Sequence, residues 1–176
     1  MKVDWPDKRE REAWEIEQFI SYCSRFPSAH DFEIVSKGEA PDYIVCDRKT
    51  KRKYGVELTS AYKDDRSVPD HHKRSAEGLV SVPYSKEEIL CYIDRVLHAI
   101  QSKIAKAQEH YDQSYPLILS VYLNEYVSLH LEPDHLQQMV DEHSSIFDQM
   151  APYVGVLLWP LASAGDCPDA MLIRPD

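Results

Sequence analysis

Residues 85–111 carry the clearest helical pattern in the chain, and this pattern limits the fold more than any other feature. Ser85 and Glu88 have the spacing of a capping box, which marks a helix start. From there apolar side chains recur every three or four residues: Ile89, Ile93, Val96, Ile100, Ile104, Ala107 and Tyr111. The pattern predicts one long amphipathic helix that buries a single face.

Strand patterns lie on both sides of this helix. The sequence predicts a first helix over about 4–25, strands at 32–38, 42–47 and 54–62, further strands at 115–124, 127–131, 153–161 and 169–175, and a helix over 133–150. A basic hairpin turn separates the second and third strands. We therefore expect an α/β fold with a mixed sheet covered by helices on both faces. The 176 residues suit a single domain spanning 1–176.

The composition excludes several classes of protein. No apolar run approaches the roughly 20 residues of a membrane span, and the charged N-terminal stretch is unlike a secretory signal, which predicts a cytoplasmic protein. The four cysteines form no C-x-x-C pair, so a zinc knuckle is not indicated. Glycine-rich nucleotide motifs are missing as well. The net charge of −10 disfavours nonspecific nucleic-acid binding but leaves room for a local basic site.

Two carboxylates stand out among the predicted strands. Asp42 follows Pro41 at the start of the second strand, and Glu57 lies inside the apolar third strand. Antiparallel neighbours about 4.8 Å apart can bring these side chains together, where they would share a cation, most naturally Mg²⁺ or Mn²⁺. The alternatives are that Asp42 only caps a turn and that Glu57 faces solvent on an edge strand.

These residues resemble a known family. Pro41-Asp42, a hairpin and then "ELT" at 57–59 in an apolar strand look like the PD-(D/E)xK phosphodiesterase superfamily with its restriction-endonuclease-like fold. The predicted αβββαβ order over roughly 10–125 is similar to the common core of that family. The resemblance implies metal-dependent hydrolysis of nucleic acid, DNA more often than RNA. It also implies that Asp42, Glu57 and the Leu58 carbonyl hold Mg²⁺ or Mn²⁺.

One position departs from the family pattern. The family usually has a lysine two residues after the glutamate, whereas this chain has Thr59, whose hydroxyl cannot supply a positive charge. Some relatives supply the cation from the helix after the third strand. Lys103, about 60° around that helix from Ile100 and so at the edge of the buried face, is the first candidate, and Lys63 is the second. The alternative is that Lys103 is an ordinary helix lysine whose aliphatic stem packs on the protein while its ammonium group extends into solvent.

Further residues follow from the same resemblance. The apolar stripe predicted for the first helix consists of Ala13, Ile16 and Ile20. Glu17, beside this stripe, would assist metal binding, with Glu10 as the alternative. Lys73 and Arg74 in the long polar loop would bind phosphates, next to His71 and His72. Each of these is equally consistent with a solvated surface residue.

Three functions remain open at this point. The first is a metal-dependent nuclease whose specificity comes from a homodimer, a protein partner or nucleic-acid structure. The second is a catalytically inactive module of the same fold that binds protein or nucleic acid, which the missing lysine and the acidic charge favour. The third is an unrelated α/β protein or small-molecule hydrolase, which an exposed Glu57 would favour.

Overall fold

A computed structural model of the protein describes residues 7–26, 30–61, 85–111, 114–123, 131–161 and 170–174. The helices are α1 (Lys8–Cys23), α2 (Lys86–His110), α3 (Pro133–Glu142) and α4 (Ser144–Asp148). The strands are β1 (Phe32–Lys37), β2 (Tyr43–Asp47), β3 (Lys53–Ala61), β4 (Leu117–Leu123), β5 (Tyr153–Trp159) and β6 (Met171–Ile173). Within these ranges, none of the helices combines the length and apolar character that crossing a membrane requires.

The six strands form one mixed sheet in the order β1-β2-β3-β4-β5-β6. The first three strands are antiparallel neighbours, β3, β4 and β5 run parallel, and β6 is antiparallel to β5. Parallel neighbours need a long crossover connection, which α2 provides between β3 and β4. The predicted α/β class and the antiparallel start of the sheet are therefore confirmed.

Helices cover both faces of the sheet, as the sequence predicts. On one face α1 packs its buried Phe19 among side chains that include Val56 and Leu58 of β3. On the other face the buried side of α2 packs with β4, β5 and α3, around residues such as Ile100 and Leu119. Because side chains alternate along a strand, Glu57 points away from α1 and toward α2.

Capping boxes fix the starts of both long helices. Ser85 accepts a hydrogen bond from the Glu88 amide and Glu88 accepts one from the Ser85 amide, which confirms the predicted start of α2. Asp7 and Glu10 make the same pair of hydrogen bonds at the start of α1. These bonds satisfy amide groups that have no partner within the helix.

Two predictions near the C-terminal end differ from the structure or lie outside it. The predicted helix over 133–150 is wrong in its continuity, because the backbone leaves the helical region at His143 and separates α3 from α4. Ser144 and Ser145, which are poor formers of a helix interior, follow the break. Of the strand predicted at 127–131, only Leu131 lies within the described residues, and it is buried outside any strand.

Candidate active site

A cleft forms where β3 extends beyond the start of β2. The last pair of residues between the two strands is Tyr43 with Val56, whereas β3 continues to Ala61 alongside β4. Asp42 and Glu57 are the next residue on each strand, so the antiparallel register brings the two predicted carboxylates to the same place. The cleft has a volume of about 200 Å³ and opens beside the free edge of β3.

Asp42 occupies the position that a longer β2 would have filled. Its Oδ2 atom accepts a hydrogen bond of 2.8 Å from the amide N–H of Leu58. The N–H and C=O groups of one strand residue face the same neighbour, so the Leu58 carbonyl faces the open side of β3 as well. The bond spans 16 residues of sequence, unlike the local turn that was the alternative for Asp42.

Glu57 is buried and paired with a cation. Its side chain is 2% exposed, which excludes the alternative of a solvent-facing glutamate. The Lys103 ammonium group donates to Oε1 at 2.5 Å, and the Tyr111 hydroxyl donates to the same oxygen at 2.5 Å. Lys103 lies in the C-terminal half of α2, and Tyr111 is the residue after its last one. Lys103 lies at the edge of the buried face of α2, about 60° around the helix from Ile100, and reaches Glu57 from there.

The wall formed by α1 carries Glu15, not Glu17. Glu15 lines the cleft and accepts a hydrogen bond of 3.2 Å from the Ser60 hydroxyl, whereas Glu17 is exposed and lies outside the cleft. The prediction of Glu17 fails because the buried stripe of α1 is centred on Phe19, which the predicted stripe omitted. Glu17 lies about 160° around the helix from Phe19, and Glu15 only about 40°. Glu10, the alternative, is exposed in the capping box.

The remaining predicted residues divide into two groups. Thr59 lines the cleft together with Leu58. Lys63, His71, His72, Lys73 and Arg74 lie outside the described residues, so their predicted roles stay predictions.

Burial shifts the pKa of the acids around the cleft. Burial, together with the charge of Glu57, raises the pKa of Asp42 to about 6, although the Leu58 hydrogen bond and Lys103 act in the opposite direction. Burial also raises the pKa of Glu15 to about 7, against the lowering effects of Ser60 and Arg11. Carboxylates with raised pKa values gain most from a bound cation, because the cation stabilises their charged form.

The fit of a divalent metal can be tested on the oxygen atoms of this site. Oε2 of Glu57 is buried and has no hydrogen-bond partner in the part of the chain that the structure describes. Such an atom calls for a partner, since an unpaired buried polar group is costly. Mg²⁺ commonly takes one or two carboxylates and completes its shell with water and phosphate oxygens. Asp42 and Glu57 supply two carboxylates at one cleft, which Leu58 also lines.

The described side chains alone do not provide three ligands for a metal ion. Across the described ranges, no group of three or more His, Cys, Asp or Glu side chains is placed to hold a metal ion. A site at Asp42 and Glu57 would therefore need the backbone carbonyl and oxygens from substrate or solvent to complete its coordination.

Comparison with known proteins adds no relative. No family model, curated protein or solved structure matches the chain significantly. The site must therefore be interpreted from its own geometry.

Two contributors to the site have weak signals in the sequence. Tyr111 belongs to the apolar stripe of α2, and nothing local marks its hydroxyl as a partner of a strand residue 54 positions earlier. Glu15 could have been found by including Phe19 in the stripe of α1. A Glu in the first helix that lies within 40° or so of the centre of the buried face is the signal to seek.

Proposed function

We propose that this protein is a metal-dependent phosphodiesterase that hydrolyses nucleic acid, with DNA as the substrate that the family resemblance favours over RNA. Asp42, Glu57 and the Leu58 carbonyl hold Mg²⁺ or Mn²⁺. Lys103 supplies the positive charge that the sequence lacks at Thr59.

The arrangement of the strands and helices supports assignment to the PD-(D/E)xK superfamily. The element order α1-β1-β2-β3-α2-β4 agrees with the αβββαβ order that the resemblance implies. The Pro-Asp pair precedes β2, and "ELT" lies in β3 next to it. Fold alone does not carry function, so the proposal depends on the site.

The observation that carries the proposal is the contact between Lys103 and Glu57. In the family pattern a lysine on the third strand lies near the metal carboxylates. Here Lys103 reaches Glu57 from α2 instead, 46 residues along the chain. Its side chain is 22% exposed, so the ammonium group contacts the buried carboxylate and remains accessible from the cleft.

The residues of the cleft divide the work of hydrolysis. A bound Mg²⁺ would polarise the phosphoryl oxygen and favour ionisation of a water molecule. Lys103 offsets the negative charge that builds up on the phosphoryl oxygens. Tyr111 holds Glu57 in place. Hydrolysis adds one water across the P–O bond: the water oxygen bonds to phosphorus, the bridging bond breaks, and a proton ends on the departing oxygen.

Calorimetric titration with Mg²⁺ and Mn²⁺, paired with cleavage assays on single- and double-stranded DNA and RNA, tests this function. The wild type should bind metal and cleave in a metal-dependent manner. A variant with Asp42→Ala and Glu57→Ala should do neither. Lys103→Met should bind metal yet lose roughly 100-fold or more in cleavage rate, the range for removal of one group that stabilises developing charge.

The control is Lys86→Met, an equal change in charge in the first turn of the same helix, where the lysine is exposed and away from the cleft. This variant should cleave like the wild type. A wild type that binds no metal and cleaves none of the four substrates would refute the proposal.

A second function is favoured by the hydrogen bonds of Glu57, because one of its two carboxylate oxygens already has two donors. Lys103 and Tyr111 both donate to Oε1, a set of contacts that also stabilises a buried carboxylate without metal. The alternative is therefore a catalytically inactive module of the same fold that binds nucleic acid or protein. Substrate binding without metal and without cleavage would favour it.

A further inference from the structure

The walls of the cleft carry cations in a paired arrangement. On α1, Lys8 and Arg11 line the cleft and are three residues apart; on α2, Lys103 and Lys106 line it with the same spacing. Residues three apart are neighbours on one helix face. Since α1 and α2 cover opposite faces of the sheet, a pair of cations borders the free edge of β3 from each side.

Several of these cations are available for a ligand. The Arg11 guanidinium makes no hydrogen bond or ion pair with another described residue, although its charge lowers the pKa of the nearby Glu15. Lys106 is exposed and its ammonium group lies 5.5 Å from the centroid of the Tyr111 ring; it makes no ion pair with another described residue. Lys8 and Lys37 both pair with Glu12, at 3.3 Å and 2.7 Å. Lys8 is 81% exposed and makes the longer contact, so it can turn to a phosphate while Lys37 keeps Glu12 paired.

From this arrangement we infer that the cleft binds a single strand of nucleic acid, which passes between α1 and α2. This inference rests on the proposed function and names its substrate class. The phosphate to be cleaved lies at Asp42 and Glu57. Lys8 and Arg11 on one wall and Lys106 on the other contact the phosphates that flank it.

Charge favours one strand over two. Among the described residues that line the cleft, the cations lie on the two helices, and the exposed Glu39 and the partly buried Glu12 lie beside them in a protein of net charge −10. A duplex would bring its second row of phosphates against this acidic surface, where like charges repel. A single strand places its phosphates only between the two walls. The structure therefore favours a substrate with one backbone in the cleft.

Fluorescence anisotropy with a labelled single-stranded oligonucleotide and its duplex, measured over a series of salt concentrations, tests the inference. The single strand should bind more tightly than the duplex. Its log K should fall with log[salt] with a slope of about −2 to −3, because about 0.7 counterion is released per phosphate contact and three or four cations take part. Lys8→Ala, Arg11→Ala and Lys106→Ala should each reduce the slope by about 0.7.

Lys86→Ala removes an equal charge outside the cleft and should leave the slope unchanged. Cleavage assays on the same oligonucleotides separate this inference from the proposed function. Metal-dependent cleavage with a preference for duplex, or with Lys8, Arg11 and Lys106 variants that bind like the wild type, overturns the inference and leaves the function intact. Binding of the single strand with the predicted slope but without cleavage supports the inference and rejects hydrolysis.

Discussion

The amide N–H of Leu58 donates a 2.8 Å hydrogen bond to Oδ2 of Asp42, so a side chain replaces the strand that would otherwise pair with this part of β3. The substitution of a carboxylate for a backbone carbonyl introduces negative charge at the edge of the sheet. That charge lies one residue beyond the last β2–β3 pair, next to Glu57.

Asp42→Asn separates the hydrogen bond of Asp42 from its charge. The amide oxygen can still accept from Leu58, while the repulsion between the half-buried Asp42 and the buried Glu57 carboxylates disappears. Because the folded protein raises the pKa of Asp42 to about 6, ionisation of this group at pH 7 opposes folding. Urea unfolding at pH 7 should show a variant at least as stable as the wild type, and calorimetry should show Mg²⁺ binding lost. A less stable variant that still binds Mg²⁺ would contradict this.

Lys103→Met should destabilise the protein by about 3 kcal/mol at pH 7, because the buried Glu57 carboxylate loses its cation. Adding Glu57→Gln should restore most of this loss, since the double variant buries no unpaired charge. Chemical denaturation of both single variants and the double variant gives the coupling between the two residues. Additive effects would show that the ion pair contributes nothing to stability.

Tyr111→Phe removes one of the two donors to Oε1 of Glu57. Hydrogen bonds to charged groups contribute about 2 kcal/mol, and we expect a loss of that size in the free energy of unfolding. Tyr115→Phe is the matched control, because the Tyr115 hydroxyl makes no hydrogen bond within the described residues. If both changes shifted the urea midpoint equally, the hydrogen bond from Tyr111 to Glu57 would contribute nothing specific to stability.

Asp47 should make the protein sensitive to acid. Burial alone would raise its pKa, but hydrogen bonds from His30, the Lys49 amide and Thr50 outweigh burial and lower the pKa to about 2. The stabilisation is therefore complete above pH 4 or so and is lost as the pH falls toward 2. Asp47→Asn removes the carboxylate, so the loss in the free energy of unfolding on acidification should be about 2 kcal/mol smaller in this variant than in the wild type. Urea unfolding at a series of pH values measures it, and parallel curves for both proteins would be the contrary result.

Gly55→Ala should disturb the site by displacing a residue next to Asp42. A Cβ atom at Gly55 would lie 2.5 Å from Cδ2 of Leu117 and 2.6 Å from Cγ of Pro41, the neighbour of Asp42. Overpacking of this kind costs about 2 kcal/mol, and displacement of Pro41 should also weaken Mg²⁺ binding. At Gly155 the nearest atom is 3.4 Å away, so Gly155→Ala serves as the control in thermal unfolding and calorimetry. A tolerated Gly55→Ala would show that Pro41 can move freely.

Local patterns in the sequence predicted those parts of the fold that depend on neighbours along the chain. The capping box at Ser85, the stripe of α2 and the β2–β3 hairpin are each set within a few residues, and the hairpin register brings Asp42 to Glu57. The placement of Lys103 could be predicted because it depends only on an angle around one helix and on which face of that helix is buried.

The rest of the site depends on distant contacts that leave little trace in the sequence. Tyr111 behaves as an apolar residue by its spacing, and its hydroxyl gains a role only when α2 packs against β3. The choice between Glu15 and Glu17 turns on which residue of α1 is most deeply buried, and that residue, Phe19, is decided by its stacking on Phe32 of β1. The break at His143 likewise follows from weak local preferences that tertiary packing decides.

The extension of β3 beyond the start of β2 has a consequence for how such a site can change over evolution or by design. Pro41 has no N–H group, so the ladder between the two strands cannot be extended through it, and the cleft persists beside the free edge. Moving this boundary by two residues would lengthen or shorten the cleft while Asp42 kept its orientation. Moving it by one residue would turn the carboxylate to the opposite side, because strand side chains alternate. The length of β2 thus sets the depth of the cleft. Whether Asp42 faces the cleft depends on whether the start of β2 moves by an even or an odd number of residues.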